Sequence, residues 1–600
     1  MASEATDQKA PETPDAAPRK RPWRWIALGV AVVLLAAAVV MGLDAWRAYG
    51  ASRDLAAHST EARSALVAGD VDTMRTEVGA VQEAAHALDG SVDGPLWWLA
   101  EHAPWVGAQV EPVTTMARAA VAVADDALVP LAQLDDLDAL SGPTIDGGRI
   151  DPYLLEPARD ALAVAAQVLD EQTATLAEVS LGGTVAMVAA EYRDATSQLE
   201  ELADLVDGAH RAAELFPTML GAEGARTYLV MVQNNAEPRA TGGIPGSVVE
   251  LHVDDGRIAL GRFVPASHLV GTATADPVVE LTADESATFT DRMARYPQDA
   301  NFTPEFPRAA ELISAFWSRA QQALGEDASA VDGVLAMDPV ALGYLLEGSA
   351  PLDVDGVTLD SHGLSTVMLN SAYSLFDDAD AQDAFFATAA SSLFDAVVAG
   401  APGLASGIER ALDEGRVRLW SAHADEQAVL DGSAIAGTFL EDGGLGVFLN
   451  DGSGSKIGYY IDTAVDVTDR VCTDGTVAGQ TVAVTLTHTF DGDVAALPEY
   501  IAGGFFVPAG EFHANLVLAP MLGTRVTSVM DGEESAWVSV TTVDGRTLVT
   551  SRIVLAPGES LTYTYDVDAP GGAVVDAGVT VTPGARTPQV TRTAVVAAGC

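Results

Sequence analysis

From Trp25 to Leu43 the chain runs nineteen positions without a charged side chain. A helix crossing about 30 Å of hydrocarbon needs roughly 20 apolar residues, so the pattern predicts a transmembrane helix over 25–43. Beyond it, over 44–216, apolar residues recur at steps of three and four. They are Val71, Met74, Val78, Val81, Ala85 and Leu88; then Leu155, Ala158, Leu162, Ala165, Leu169 and Leu176; then Tyr192, Ala195, Leu199, Leu202, Val206, Ala209 and Ala213. This spacing lays one apolar stripe along each helix, and each stripe needs a partner to leave water, which predicts a helical bundle. Trp97, Trp98 and Trp105 interrupt the region. Indoles suit a lipid interface or a core, and packing within the bundle is the preferred reading.

From about 217 the period changes. Thr227–Val232, Ser247–Val253 and Arg257–Val264 read as strands, the last two joined by an Asp254-Asp255-Gly256 turn. Helical spacing over Arg308–Leu324, a strand at Val331–Met337 and further helices follow. Alternation of this kind predicts an α/β core with a mixed sheet over 217–460. Over 461–600, short runs such as Thr481–Phe490, Glu511–Leu518, Thr547–Leu555 and Ser560–Val567 are separated by Gly, Pro and Asp turns. They predict an immunoglobulin-like β-sandwich. The expected class is multidomain α+β.

Charge gives the expected apolar helix a direction. Arg19, Lys20, Arg21 and Arg24 precede it and Asp44 follows, so residues 1–24 are expected to be a disordered cytoplasmic tail and everything past 43 to lie outside. An uncleaved anchor is preferred to a cleaved signal, because the apolar run is long and no small-residue cleavage site closely follows it. The expected location is the cell membrane, in single-pass topology, with the lipid bilayer as one partner. Of 600 residues, 32 are basic and 85 acidic, a formal net charge of −53, which sets nucleic acid aside as a partner. The lysines are Lys9, Lys20 and Lys456, so beyond the anchor basic charge is carried almost wholly by arginine. Cys472 and Cys600 both fall on the expected outer side, where a disulfide persists, and they are the expected pair.

The chain carries no Gly-x-Ser-x-Gly elbow, no His-Glu-x-x-His helix, no phosphate-binding Walker loop and no cysteine pair with zinc spacing. No cofactor or metal is expected. Polar groups concentrate in Gln233-Asn234-Asn235-Ala236-Glu237-Pro238-Arg239-Ala240-Thr241-Gly242-Gly243-Ile244-Pro245-Gly246-Ser247, between two predicted strands. Glycines let backbone N–H groups turn inward as an anion nest, and an arginine can grip a phosphate or carboxylate with two bonds. The candidate ligand-binding residues are therefore Asn234, Asn235, Glu237, Arg239, Thr241, Gly242, Gly243 and Ser247. Arg308 joins them because it opens a helix, where a cation calls for a nearby anion or carboxylate. Lys456 joins them as the one lysine past the anchor, within Asn450-Asp451-Gly452-Ser453-Gly454-Ser455-Lys456, which by itself reads as a solvated turn. Read as an exposed loop, 233–247 would tolerate Arg239→Ala at a cost under about 1 kcal/mol.

The stretch from Tyr228 to Ser247 resembles the signature of a bacterial family known as domain of unknown function 4012. Likeness extends through Asn301–Arg308, Val331–Pro339 and Leu449–Tyr460, in order across most of 50–470. The resemblance implies an inner anchor and a large outer part, and no activity. The order of elements also looks like the core of the LytR-CpsA-Psr family, anchored transferases that move lipid-pyrophosphate-linked glycopolymers to the cell wall. Where those enzymes carry Arg-Ser-Asp-Thr and Pro-Arg-Asp motifs, this chain reads Gly246-Ser247 and Pro265-Ala266-Ser267.

Two functions follow as expectations. The first is an envelope protein that binds or helps transfer a cell-wall or capsule-type glycopolymer, or its lipid-linked precursor, at the polar loop. The second is a non-catalytic structural or interaction protein holding other envelope proteins. Whether Arg239, Arg308 and Lys456 converge on one cleft separates them.

Overall fold

The computed structural model describes residues 23–67, 70–104, 106–134, 145, 147–269, 276–325, 330–376, 378–439, 444–472, 476–573 and 578–597. It is a multidomain α+β protein with helices and mixed sheets. The first helix is a continuous 45-residue rod, Trp23–Val67. Among the described residues no helix is long and apolar enough to cross a membrane. Residues 1–22 of the expected tail, and the side chains of 23–38 within the expected span, lie outside the described residues, as does Trp105.

Helices Val71–Val92, Gly107–Ala122, Arg159–Ala177 and Ala186–Met219 make the bundle. Asp70 starts the first of them by accepting the Thr73 backbone N–H at 3.1 Å, filling one of the donors a helix start leaves open. The predicted stripes face inward. Met74, Val78, Val81, Ala85 and Leu88 are buried on one helix, and Ala158, Leu162, Ala165, Leu169 and Leu176 are buried from the short turn Glu156–Ala158 into the next helix. Trp97 is buried against the first helix's Ala48 and Ala51, while Trp98 is exposed.

A five-stranded mixed sheet follows. Strands β1 (Arg226–Arg239), β2 (Gly242–Asp254) and β3 (Arg257–Pro265) form an antiparallel meander. β4 (Gly333–Met337) runs parallel to β1. A small separate hairpin, β5 (Leu352–Val354) and β6 (Val357–Leu359), precedes β7 (Val417–Ser421), which completes the sheet beside β4. Between β2 and β3 the chain turns through Asp255 and Gly256, both at positive φ. A Cβ on Gly256 would sit 1.8 Å from the Ile150 carbonyl oxygen, so only glycine fits there. The helix Phe306–Leu324 covers the sheet. It begins with Pro307 in its first turn, ends on Gly325 in the left-handed region, and buries Phe306, Phe316 and Trp317 completely or nearly so.

Two further sheets pack beyond. The strands are β8 (Leu445–Asp451), β9 (Ile461–Val471), β10 (Val477–His488), β11 (Phe512–Ala519), β12 (Arg525–Asp531), β13 (Glu534–Ser535), β14 (Val538–Val543), β15 (Arg546–Leu555), β16 (Ser560–Ala573), β17 (Val579–Val581) and β18 (Gln589–Val596). One sheet has the order β14-β15-β11-β8-β17 and the other β13-β12-β16-β10-β9-β18. The segment expected to end the α/β core thus contributes β8 to the C-terminal pair of sheets. Its run Leu445-Gly446-Val447-Phe448-Leu449 lacks alternation because both faces are covered: Phe448 faces the core shared with Phe306–Leu324, and Val447 and Leu449 face the core between the two sheets. β18 runs parallel to β9 with Val596 opposite Val471, and the Ala597 N–H donates to the Val471 carbonyl at 2.8 Å. Cys472, next in line, is disulfide-bonded; Cys600 lies outside the described residues.

Candidate functional site

The polar segment 233–247 is not an exposed loop. β1 continues through it to Arg239, the chain reverses at Ala240-Thr241, and β2 departs at Gly242. The hairpin is irregular, its register shifting between Val232 and Gln233 and between Asn234 and Pro238. The glycines serve close approach: a Cβ on Gly243 would lie 2.2 Å from the Asn234 carbonyl carbon, and Gly242 sits at φ 139°. Gln233, Asn235, Glu237, Arg239, Thr241 and Ser247 are all buried, and Asn234 is half-buried. Polarity misleads here because the partners of these groups lie far away in sequence.

Most of the candidate side chains meet the rest of the protein, although the buried Thr241 hydroxyl, Asn235 Oδ1 and Arg239 Nε make no hydrogen bond within the described residues. Asn234 donates to the Tyr373 hydroxyl at 2.8 Å and accepts from the Ala236 N–H at 3.1 Å. Asn235 donates to Asp338 at 3.0 Å and to the Pro583 carbonyl at 2.8 Å. Glu237 accepts from the Lys456 ammonium at 2.6 Å, and that ammonium also lies 4.8 Å from the Tyr373 ring centre. Arg239 lies 3.5 Å from Asp299 and 3.8 Å from Asp451, with its guanidinium over the Phe302 ring. The Thr241 carbonyl accepts from Gln233, and Asn301 donates to the Gly243 carbonyl at 2.6 Å. Asn450 of β8 accepts from the Ala240 N–H, and Thr582 donates to the Ala240 carbonyl.

Lys456 is therefore not in a solvated turn: its side chain is largely covered and its ammonium meets Glu237, whose carboxyl Arg239 also influences. Arg308 is held elsewhere. Its guanidinium grips both oxygens of Glu285 at 2.7 and 3.1 Å, reaches Glu311 at 2.5 Å and donates to the Glu280 carbonyl. Glu285 itself closes a capping box with Thr282 at the start of helix Ala283–Phe289. The cation at a helix start is thus answered by a carboxylate of the same chain.

Sequence reasoning missed Asp299, Asp338, Tyr373, Arg416 and Asp451. Arg416 and Asp338 form a pair at 2.8 Å with both side chains fully buried, and Asp338 also caps the helix Pro339–Leu345. A signal was present in Arg416-Val417-Arg418, where two cations flank an apolar residue at the start of a strand. Among the described residues no group of three His, Cys, Asp or Glu is placed to hold a metal. Two cavities lie away from the hairpin. One of about 350 Å³ is bordered by Glu156, Arg159, Asp160, His210 and Glu214, and one of about 160 Å³ by Glu280, Ser286, Asp291 and Arg295.

Burial pushes the Glu237 carboxyl up, but Lys456 and Arg239 more than offset this and hold it below the usual carboxylate range. Burial lowers the Lys456 ammonium and Glu237 reverses the shift, leaving it above its ordinary value. Asp451 differs. Burial pushes its carboxyl up to about 6, with Arg239 opposing and Glu237 adding to the rise. A raised carboxyl stabilises the fold while protonated. Its contribution is fully present below the unfolded aspartate value of about 3.9 and is lost as pH climbs through about 6, a loss of about 2 to 3 kcal/mol. Urea midpoints measured from pH 4 to pH 7 should fall more steeply with rising pH in the native protein than in Asp451→Asn; parallel profiles would disprove this.

Arg239→Ala is expected to lower stability by about 2 to 3 kcal/mol, well above the cost of an exposed-loop change. The loss is bounded because Asp299 keeps Arg292 at 2.8 Å and Asp451 takes up a proton more readily without its cation. Thermal unfolding followed by tryptophan fluorescence checks it; an unchanged transition would return the hairpin to the status of a dispensable surface.

The hairpin, β3, β4, Asp299, Asp338 and Tyr373 all fall within one recognisable stretch. Residues 223–373 match the family described as "Protein of unknown function (DUF4012)". Comparison with curated proteins and with solved structures gave no match. The DUF4012 stretch is shorter than the 50–470 span of the sequence resemblance, and it supplies only part of the charged cluster. Asn235, Glu237, Arg239, Asp299 and Asp338 lie inside it, whereas Arg416, Asp451 and Lys456 lie beyond. The DUF4012 hairpin is completed by partners from the C-terminal sheets.

Proposed function

We propose that the chain is a membrane-anchored protein of the cell envelope whose outer part is a non-catalytic structural and interaction scaffold. The observation that carries this reading is the pairing of the hairpin's charges. Arg239 and Lys456 meet the buried carboxylates Glu237, Asp299 and Asp451, so the cluster offers no surplus positive charge to a phosphate or pyrophosphate. Arg308, the third cation of the glycopolymer reading, is bound to Glu285 and Glu311. An anionic ligand would have to displace carboxylates already held at short range.

The anchor reading rests on the uncharged run 25–43 and the basic residues before it. The 45-residue helix that begins at Trp23 would carry such a span directly into the bundle, standing the outer domains on the bilayer. The immunoglobulin-like reading of 461–600 is supported by two largely antiparallel sheets over one core, enlarged by β8 from upstream. To test the whole proposal, the outer part is immobilised and exposed to envelope extract, and bound material is identified by mass. Retention of envelope proteins without glycopolymer is expected. Retention of a phosphate-containing glycopolymer that Lys456→Met abolishes would overturn the scaffold reading in favour of a carrier or transferase. A reporter active only in the cytoplasm, fused after Cys600, should be silent.

A further inference from the structure

Lys456 is the only lysine past residue 43, in a chain that uses arginine for every other cation there. For an ion pair alone arginine would serve as well or better, since its guanidinium holds carboxylates with two bonds and stays charged when buried. Lysine can do one thing arginine in proteins does not: lose a proton and act as a nucleophile. The Lys456 Nζ lies 2.6 Å from Glu237 Oε1, and the two side chains are largely covered, 13% and 10% exposed. Tyr373 covers the ammonium, and Asn234 fixes the Tyr373 hydroxyl. The two residues are 219 positions apart, Glu237 on β1 and Lys456 at the start of the short helical turn Lys456–Tyr460 between β8 and β9.

We propose that Lys456 and Glu237 are joined in the mature protein by a side-chain amide, an intramolecular isopeptide bond formed by the folded chain itself. The step balances without any co-reactant. The ammonium passes one proton to the carboxylate along their contact, giving an amine and a carboxylic acid. The Nζ lone pair attacks Cδ, a C–N bond forms, the C–O bond to the hydroxyl breaks, and that hydroxyl leaves with a second amine proton as water. Ammonium plus carboxylate becomes amide plus water, with no change of oxidation state.

Two physical effects drive it. Holding the two groups in contact replaces an encounter in solution with an intramolecular reaction. Burying two charges is costly, and a neutral amide relieves that cost while exclusion of water disfavours the reverse reaction. Arg239 then faces Asp451 and Asp299, and Arg292 completes the balance at Asp299.

Intact mass of the denatured outer part decides the matter without depending on the proposed function. The native chain should be lighter than its sequence by one water molecule beyond the two hydrogens lost to the disulfide. Tryptic digestion should yield a branched peptide joining Thr227–Arg239 to Leu419–Arg470, uncut at Lys456. Lys456→Met should carry no missing water. Glu237→Ala should likewise carry no missing water. A native chain of full mass, with Lys456 cleaved normally, would overturn the proposal even if every variant failed to fold.

Discussion

Arg416→Ala should destabilise the protein by about 3 to 5 kcal/mol, the range for removing one partner of a buried ion pair. Arg416 touches four groups: Asp338 at 2.8 Å, Glu414 at 2.6 Å, the Gly584 carbonyl at 3.0 Å and the Thr587 hydroxyl at 3.2 Å. Without it, Asp338 keeps its bond to the Ala341 N–H and its bond from Asn235 but loses the buried cation that balances its charge. Removing both charges should cost less than removing one. Arg416→Met combined with Asp338→Asn is expected to recover most of the loss, since the helix Pro339–Leu345 keeps a capping side chain and no lone charge remains. Urea unfolding of the three variants reads this directly; additive losses in the double variant would show that the two side chains act independently.

Reduction of the disulfide at Cys472 should cost about 4 to 5 kcal/mol on the chain-entropy account, if the partner is Cys600 as the sequence leads one to expect. A bridge between these two would close a loop around all strands from β10 to β18. The parallel pairing of β18 with β9 brings Ala597 to within a hydrogen bond of Val471, so the two ends of that loop already run side by side. The denatured, unreduced protein should show no free thiol, and the reduced protein should unfold at a markedly lower urea concentration. Two titratable thiols in an oxidised preparation would refute the pairing, and an unshifted midpoint after reduction would refute its energetic weight.

The bundle was legible because a helix writes its buried face into the chain every three or four residues, and Leu162, Ala165 and Leu169 obey that rule without help from elsewhere. Strands such as β2, β3 and β4 were legible for a similar reason, whereas β8 went unread, because its unbroken apolar run carries no alternation. The polar hairpin was found in sequence but misplaced, taken for surface. Nothing local marks Asn235 as buried, because its partners Asp338 and Pro583 are 103 and 348 residues away. Lys456 was singled out by rarity, yet its surroundings of glycine and serine suggested water rather than Tyr373 and Glu237. Arg308 was singled out by its place at a helix start and set among the ligand-binding candidates; its partner in the fold is the capping carboxylate Glu285, which no local pattern announced.

A chain is made from its amino terminus, and the hairpin at 226–254 is finished by groups that appear last. The Pro583 carbonyl bonds Asn235, the Gly584 carbonyl bonds Arg416, and the Thr582 hydroxyl bonds the tip at Ala240. During synthesis the charged tip must therefore wait for more than three hundred further residues before its last contacts exist. Contacts of such long separation make folding slow and leave unpaired polar strands in the interim. Removing residues 582–584 is then felt first at the hairpin tip they touch, in a sheet that had been complete in sequence since β7.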